Sequence, residues 1–154
     1  MEFALRTAIG YITISMELNR IILVEFGGNV GKNPTLENDA FQENISFQFN
    51  EYFAGKLKVF DLPLQYNGTP FQMKVWRYLQ TIPYGQTVSY QAVAKAIGHP
   101  KSARTVGTAC KHNPIPIIIP CHRIISSTGE IGEYAGGKRR KEALLRLETA
   151  TSLV

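Results

Sequence analysis

A single cysteine at position 121 stands in the stretch Pro114-Ile-Pro-Ile-Ile-Ile-Pro-Cys-His-Arg123, between a proline-braced apolar run and a basic pair. Cysteine attacks as the thiolate, and neighbouring cationic groups lower a thiol pKa from its ordinary ~8.5. His122 and Arg123 adjoin this one, so the expected chemistry is nucleophilic. Three isoleucines between prolines predict a short buried strand, with Pro120 fixing the backbone at its exit. Cys121 would then be held rigidly where the strand ends. Taken alone, the segment also fits a small buried hydrophobe, because free cysteine is usually buried and inert.

Cys110 is the only other cysteine, which is too few for a disulfide framework. His99, His112 and His122 would have to complete any zinc site with the two thiols, and their spacings match no common pattern. No metal is expected. Reduced thiols, the lack of a basic start followed by an apolar signal core, and the lack of any ~20-residue apolar run lead to the expectation of a cytoplasmic protein with no membrane partner.

Charge is divided unevenly along the 154 residues. Residues 1–67 carry five Lys/Arg against eight Asp/Glu, a balance of −3, and residues 68–154 carry twelve against four, a balance of +8. No carboxylate occurs between Asp61 and Glu130, whereas Lys74, Arg77, Lys95, Lys101, Arg104, Lys111 and Arg123 all do. A one-signed stretch of this length predicts a polyanionic partner, provided the charges share a face.

The elements that must position these groups follow from periodicity and stop signals. Ile12, Ile14 and Met16 alternate with polar residues, Leu18-Asn19-Arg20 offers a turn, and Ile21 to Phe26 returns as a second strand. A loop is expected over Gly27 to Pro34. Thr35 then caps a helix in which Phe41, Ile45, Phe49 and Tyr52/Phe53 recur at helical spacing until Gly55, and Lys56 to Leu64 extends as a connection. From Gly68 the texture changes. Thr69-Pro70 opens a helix with Phe71, Val75, Trp76 and Leu79 on one side, and Ser89 caps Tyr90 to Ile97. After Gly98-His99-Pro100 a further helix runs from about Ser102 to His112, giving the outline of a helix-turn-helix. Small residues on that second helix, Gly107 and Ala109, allow close approach to a duplex, and Lys101 and Lys111 can meet phosphates. A last helix from Lys138 to Glu148 is expected to bury Ala143, Leu144 and Leu147, leaving Glu148 as a solvated carboxylate unless the helix folds back over the Cys-His segment.

These residues together resemble the O6-alkylguanine-DNA alkyltransferases. The match is carried by Asn113-Pro114 through Pro120-Cys-His-Arg123, Gly132 to Gly137, Ser102-Ala-Arg-Thr-Val-Gly107, Thr69-Pro-Phe-Gln72 through Trp76, and Ile82-Pro-Tyr-Gly85 to Ser89-Tyr90. The resemblance implies that Cys121 accepts the alkyl group from O6 of guanine, with His122 acting as base through a water and Glu148 orienting the imidazole. It implies that Asn113 ties the helix-turn-helix to the active segment and that Tyr90 donates to the departing guanine. Arg104 is expected to enter the base stack where the nucleotide flips out. Ser102, Thr105, Gly107, Ala109, Lys111 and Arg123 complete the expected DNA-facing set. Tyr134, Ile131, Ala135, Ile124 and Cys110 are expected to wall the substrate pocket. Cys110 stands where relatives often carry methionine, and Ala135 where some carry serine, so the range of alkyl groups is left open.

The implied partner is double-stranded DNA containing O6-alkylguanine, with O4-alkylthymine an open second lesion; oligomeric state is left open, although self-contained chemistry favours a monomer. No cofactor is implied, because the alkyl thioether is stable and one protein molecule is consumed per base. The expected fold class is α+β: a small N-terminal α/β lobe with antiparallel strands over residues 1–64, then a mostly helical domain over 65–154 with the helix-turn-helix and the active cysteine. Three other classes compete. A catalytically silent damage sensor would bind the lesion without transfer, and tryptophan stands at the acceptor position in the nearest such relatives. A helix-turn-helix regulator leaves Cys121, His122 and Glu148 without purpose, and a cysteine hydrolase has no need of the acid-free basic stretch.

Overall fold

The computed structural model describes residues 1–28 and 39–152. Thr35, expected to cap a helix, lies outside them, as does most of the loop expected from Gly27 to Pro34. The chain divides into two compact units, Met1–Tyr66 and Asn67–Val154. Among the described residues no helix is long and apolar enough to cross a membrane.

The first unit is an antiparallel meander of β1 (Glu2–Thr7), β2 (Gly10–Glu17) and β3 (Arg20–Phe26) with a helix, α1 (Ala40–Phe53). The hairpin of β2 and β3 is as expected. Its two-residue turn holds Leu18 and Asn19 at φ 50° and 58°, the paired left-handed conformations that match strand twist. β1 was not anticipated, because its buried Phe3 is flanked by half-buried residues and shows no clean alternation. Asp39 caps α1, accepting from the amides of Phe41 and Gln42. Ile45, Phe49 and Tyr52 bury fully as the spacing predicted, and Phe60 packs its ring 5.0 Å from that of Phe49. The connection after α1 is pinned by Gln48, whose amide accepts from Asp61 N at 2.8 Å and donates to Asp61 O at 2.9 Å.

The second unit contains α2 (Pro70–Leu79), β4 (Val88–Ser89), α3 (Tyr90–Ala96), α4 (Ala103–Lys111), β5 (Ile124–Ile125) and α5 (Lys138–Thr151). A reciprocal capping box between Thr69 and Gln72 starts α2. Gly68 is required there, since a Cβ would fall 2.6 Å from the Trp76 ring. Trp76 donates its indole N–H to the Ala109 carbonyl at 2.9 Å, tying α2 to α4. Ser89 caps α3 through Ala92 N, and Gly98, at φ +84°, makes the turn toward α4. The α+β architecture is therefore as expected from the sequence.

Two local expectations fail. Ile117 to Ile119 is a buried tight turn instead of a strand: Ile119 N bonds to Ile115 O, and Ile117 sits at φ +75°. Prolines at 114, 116 and 120 have no N–H for a ladder, so the run buries most of its side chains but makes only an isolated bridge between Pro116 and Ile119. Pro120 (φ −82°, ψ 64°) closes an inverse γ-turn in which Cys121 N donates to Ile119 O, and Cys121–Arg123 then form a single 3-10 turn. On α5 the buried positions are Lys141, Leu144 and Glu148, whereas Ala143 is exposed and Leu147 half-buried. This inward stripe is largely charged, and the reason lies in the site it faces.

Candidate active site

Cys121 is 3% exposed and opens into a cavity of about 500 Å³ whose lining includes Tyr90 of α3, Arg104, Gly107 and Cys110 of α4, and Tyr134 and Ala135 of the loop before α5. Its sulfur accepts from Asn113 Nδ2 at 3.1 Å. The same nitrogen donates to Ile119 O at 2.8 Å, while Asn113 Oδ1 accepts from Ile115 N at 2.9 Å. One amide thus fixes both the buried turn and the sulfur that follows it.

Behind the sulfur lies a fully buried charge network. His122 Nε2 is 2.6 Å from Glu148 Oε2, and Arg123 donates from Nε to Oε1 at 2.8 Å and from Nη2 to Oε2 at 3.1 Å. Arg123 Nη1 meets Ile82 O at 2.7 Å, and Gly85 N reaches Glu148 Oε1 at 3.3 Å. Gly85 tolerates no side chain in this turn: its φ is +79°, and a Cβ would fall 2.6 Å from Ser152 Cβ. Burial alone would raise the Glu148 carboxyl, but the hydrogen bonds and charge of His122 and Arg123 outweigh it and hold the group well below the usual carboxylate range. Burial lowers the imidazole, against the pull of Glu148. A neutral ring beside an ionised carboxylate must place its proton on Nε2, which leaves Nδ1 as a lone-pair acceptor. Nδ1 is itself buried and has no hydrogen-bond partner in the protein.

The thiol does not behave as the sequence suggested. Burial pushes Cys121 up to about 11, against the opposing effects of the Asn113 hydrogen bond and Lys141. Arg123 cannot help, because its guanidinium is committed to Glu148. The sulfur therefore rests protonated and needs a base. Tyr90 is pushed up to about 12, by burial first and then by the nearby thiols, so its phenol is a proton donor at neutral pH.

The expected catalytic residues Cys121, His122, Glu148, Asn113 and Tyr90 converge in this one place. The other expectations divide. Arg104, Gly107, Lys111, Cys110, Tyr134 and Ala135 line the cavity. Thr105 is exposed on α4 and Ser102 takes its N-cap position without capping it by side chain. Arg123, expected at DNA, is 7% exposed and held by Glu148; Ala109, expected there too, is 2% exposed beneath the Trp76 hydrogen bond. Ile124 is fully buried in β5, and Ile131 lines a separate depression with Leu145 and Arg146 of α5, so neither walls the cavity.

Two participants were missed. Lys141 is fully buried, with Nζ donating to Ile124 O at 2.5 Å. Glu133, on the cavity lip, pairs with Lys111 at 2.5 Å with both side chains largely exposed. A signal for the first existed: Lys141, Leu144 and Glu148 fall at i, i+3 and i+7, one helical face, once charged residues are allowed inward. Among the described residues no cluster of three or more His, Cys, Asp or Glu is arranged to hold a metal.

Comparison with known proteins covers both units. Residues 70–150 match the family profile described as the 6-O-methylguanine DNA methyltransferase DNA binding domain, and residues 4–66 match the ribonuclease-like domain of the same methyltransferase. A Mycobacterium tuberculosis methylated-DNA–protein-cysteine methyltransferase is 55% identical over 101 residues, 66% of this chain and 61% of that protein, so the match spans less than two thirds of the relative. A constitutive Bacillus subtilis methyltransferase of the same name is 41% identical over 146 residues, covering 90% of this chain and 88% of the relative. The crystal structure of Mycobacterium tuberculosis OGT in complex with DNA superposes with a TM-score of 0.88 at 40% identity, covering 97% of this chain and 93% of that one.

Proposed function

The chain belongs to the 6-O-methylguanine DNA methyltransferase family, and on that footing we propose that it repairs DNA by moving an alkyl group from O6 of guanine onto Cys121, once per molecule. The observation that carries this reading is the cavity itself, which brings a proton-donating phenol and a thiol to one space, with a neutral imidazole and its orienting carboxylate packed behind the sulfur.

The thiol proton leaves through a bridging water to His122 Nδ1, and Glu148 stabilises the imidazolium that forms. The sulfur attacks the alkyl carbon in line, the S–C bond forms as the C–O6 bond breaks, and the electron pair departs with guanine. Tyr90 donates to the departing base, which would otherwise leave as an anion. A thioether does not hydrolyse, so nothing restores the thiol and the protein is spent. The base must be flipped out, since a sulfur enclosed in the cavity cannot reach the alkyl carbon of a base held in the stack. Arg104, exposed on the cavity rim near the start of α4, fills the gap it leaves.

DNA is the proposed partner, met by basic residues of the second unit through phosphates and shape. Binding should fall steeply with salt. Action in the cytoplasm as a monomer belongs to the same proposal, since one chain carries both the acceptor and its relay.

The test is intact and peptide mass spectrometry after mixing the protein at equal stoichiometry with a duplex carrying one O6-methylguanine. One methyl increment on the Cys121 peptide, capped at one per molecule and absent in Cys121→Ser, is expected. Tight lesion binding without transfer would turn the reading to a damage sensor, and no lesion preference would sink both.

A further inference from the structure

Lys141 is the buried group that the relay leaves unused. Its side chain is fully enclosed on the inner face of α5, where Nζ meets the carbonyls of Ile124 at 2.5 Å and Glu133 at 3.5 Å. Among the described residues no carboxylate pairs with it. A buried cation with only carbonyl partners is costly, and replacing such a charge by an apolar side chain of similar shape is often neutral or stabilising. The bond to Ile124 O needs a donor but not a charge, so packing and hydrogen bonding alone give no reason for an ammonium here.

The surroundings supply one. The ammonium lies 5.8 Å from the centre of the Tyr90 ring, and a Cβ on Gly132 would sit 3.2 Å from the Tyr90 hydroxyl and 3.9 Å from Nζ. Lys141 thus stands beneath the lip of the cavity that holds the sulfur. We propose that Lys141 is a positioning residue for charge, the buried counter-cation that stabilises the Cys121 thiolate when its proton leaves. The inference rests on the alkyl-transfer reading for why the sulfur must ionise.

The charged and titratable neighbours leave this task to Lys141. On α5, Glu148 is engaged by His122 and Arg123 of the 3-10 turn. From α4, Cys110 is held protonated far above its ordinary value by burial. Tyr90 from α3 and Tyr134 from the cavity loop are neutral phenols, both raised by burial. Glu133, in the same loop, faces solvent and is paired with Lys111. Lys141 is itself lowered from the ordinary lysine value by burial, with the two thiols pulling it back up.

The experiment measures the rate of iodoacetamide modification of Cys121 from pH 6 to pH 10, below the thiol's midpoint of about 11, resolved from Cys110 by peptide mass spectrometry, together with the melting temperature, in wild type, Lys141→Met and Lys141→Arg. In Lys141→Met the rate should fall about tenfold at each pH, as a midpoint moved up by about one unit requires, while the melting temperature holds or rises. Lys141→Arg, which keeps the charge, should stay near the wild-type rate. An unchanged Lys141→Met profile overturns the proposal. So does a shifted profile in a destabilised Lys141→Met protein, which would make the residue architectural. A Lys141→Arg rate about tenfold below wild type would also overturn it. The reaction needs no DNA, so a wild type that fails to take methyl from O6-methylguanine would sink the repair reading and leave this result standing.

Discussion

Asn113 lies 3.1 Å from Cys121 through a hydrogen bond from Nδ2 to the sulfur, and the same nitrogen holds the Ile119 carbonyl in the turn that aims that sulfur. A bond to a charged acceptor contributes about 1.5–3 kcal/mol. If the thiolate forms in the reaction, losing this one should slow transfer by about 10- to 100-fold. Asn113→Ala should show that loss in single-turnover methyl transfer, and Asn113→Asp a larger one, because it sets an anion beside the developing thiolate. The buried Ile115 N left without its acceptor should also lower stability by about 1–3 kcal/mol. Equal rates in all three proteins would remove Asn113 from the mechanism.

Arg123 tests the division between relay and DNA surface. Its fork on Glu148 is buried, and removing one member of a buried pair destabilises by about 3–5 kcal/mol. Arg123→Lys keeps the charge but cannot make the bidentate contact. It should lower the urea midpoint and slow transfer while leaving the salt dependence of duplex binding at the wild-type slope. Lys111→Ala, by contrast, should reduce that slope by about one ion. A reduced slope in Arg123→Lys would return Arg123 to the DNA-facing set.

The same network gives stability a direction with pH. Glu148 titrates lower in the fold than in the unfolded chain, so its contribution is complete above the unfolded value of about 4.3 and is lost as pH falls toward the folded one. His122 is also lowered in the fold. Below about 6.5 the unfolded chain takes up a proton that the buried ring refuses, so stability declines there as well. Unfolding free energy should therefore be level from neutral pH to about 6.5, fall below it, and steepen below about 4.3. Urea titrations at stepped pH check this, and His122→Gln should lose the earlier part of the decline. A stability maximum near pH 5 would contradict both assignments.

What the sequence disclosed tracks the kind of force at work. Helices set by caps and apolar spacing were readable: Thr69-Pro70, Ser89-Tyr90 and the stripe Ile45, Phe49, Tyr52 all place the observed elements. The isoleucine run misled because burial and strand pairing usually coincide, and prolines at 114, 116 and 120 allow only the first. Arg123 and Ala109 were assigned to DNA on sign and size, yet Arg123 is fixed by a carboxylate 25 residues on and Ala109 by an indole 33 residues back. Lys141 was passed over because inward lysines are rare. Only the return of α5 over the 3-10 turn gives its charge, and that of Glu148, a purpose.

Alkylation should itself destabilise the protein. The sulfur has Asn113 on one side and is 3% exposed, so a methyl group must either enter the cavity or press on that amide. Overpacking of this kind costs about 1–3 kcal/mol. Methylation also leaves a sulfur that can no longer ionise, so Lys141 keeps no potential anion beside it. Methylated protein should therefore melt several degrees below the free form, at about 2–4 °C for each kcal/mol in a chain of this size. The two contributions separate by mutation. If electrostatics matters, the penalty should shrink in Lys141→Met, where no buried cation is left without a potential anion. If only volume matters, it should be the same in both backgrounds. Calorimetry on methylated and free protein in each background decides, and no penalty in either would show that the cavity already has room for the methyl group.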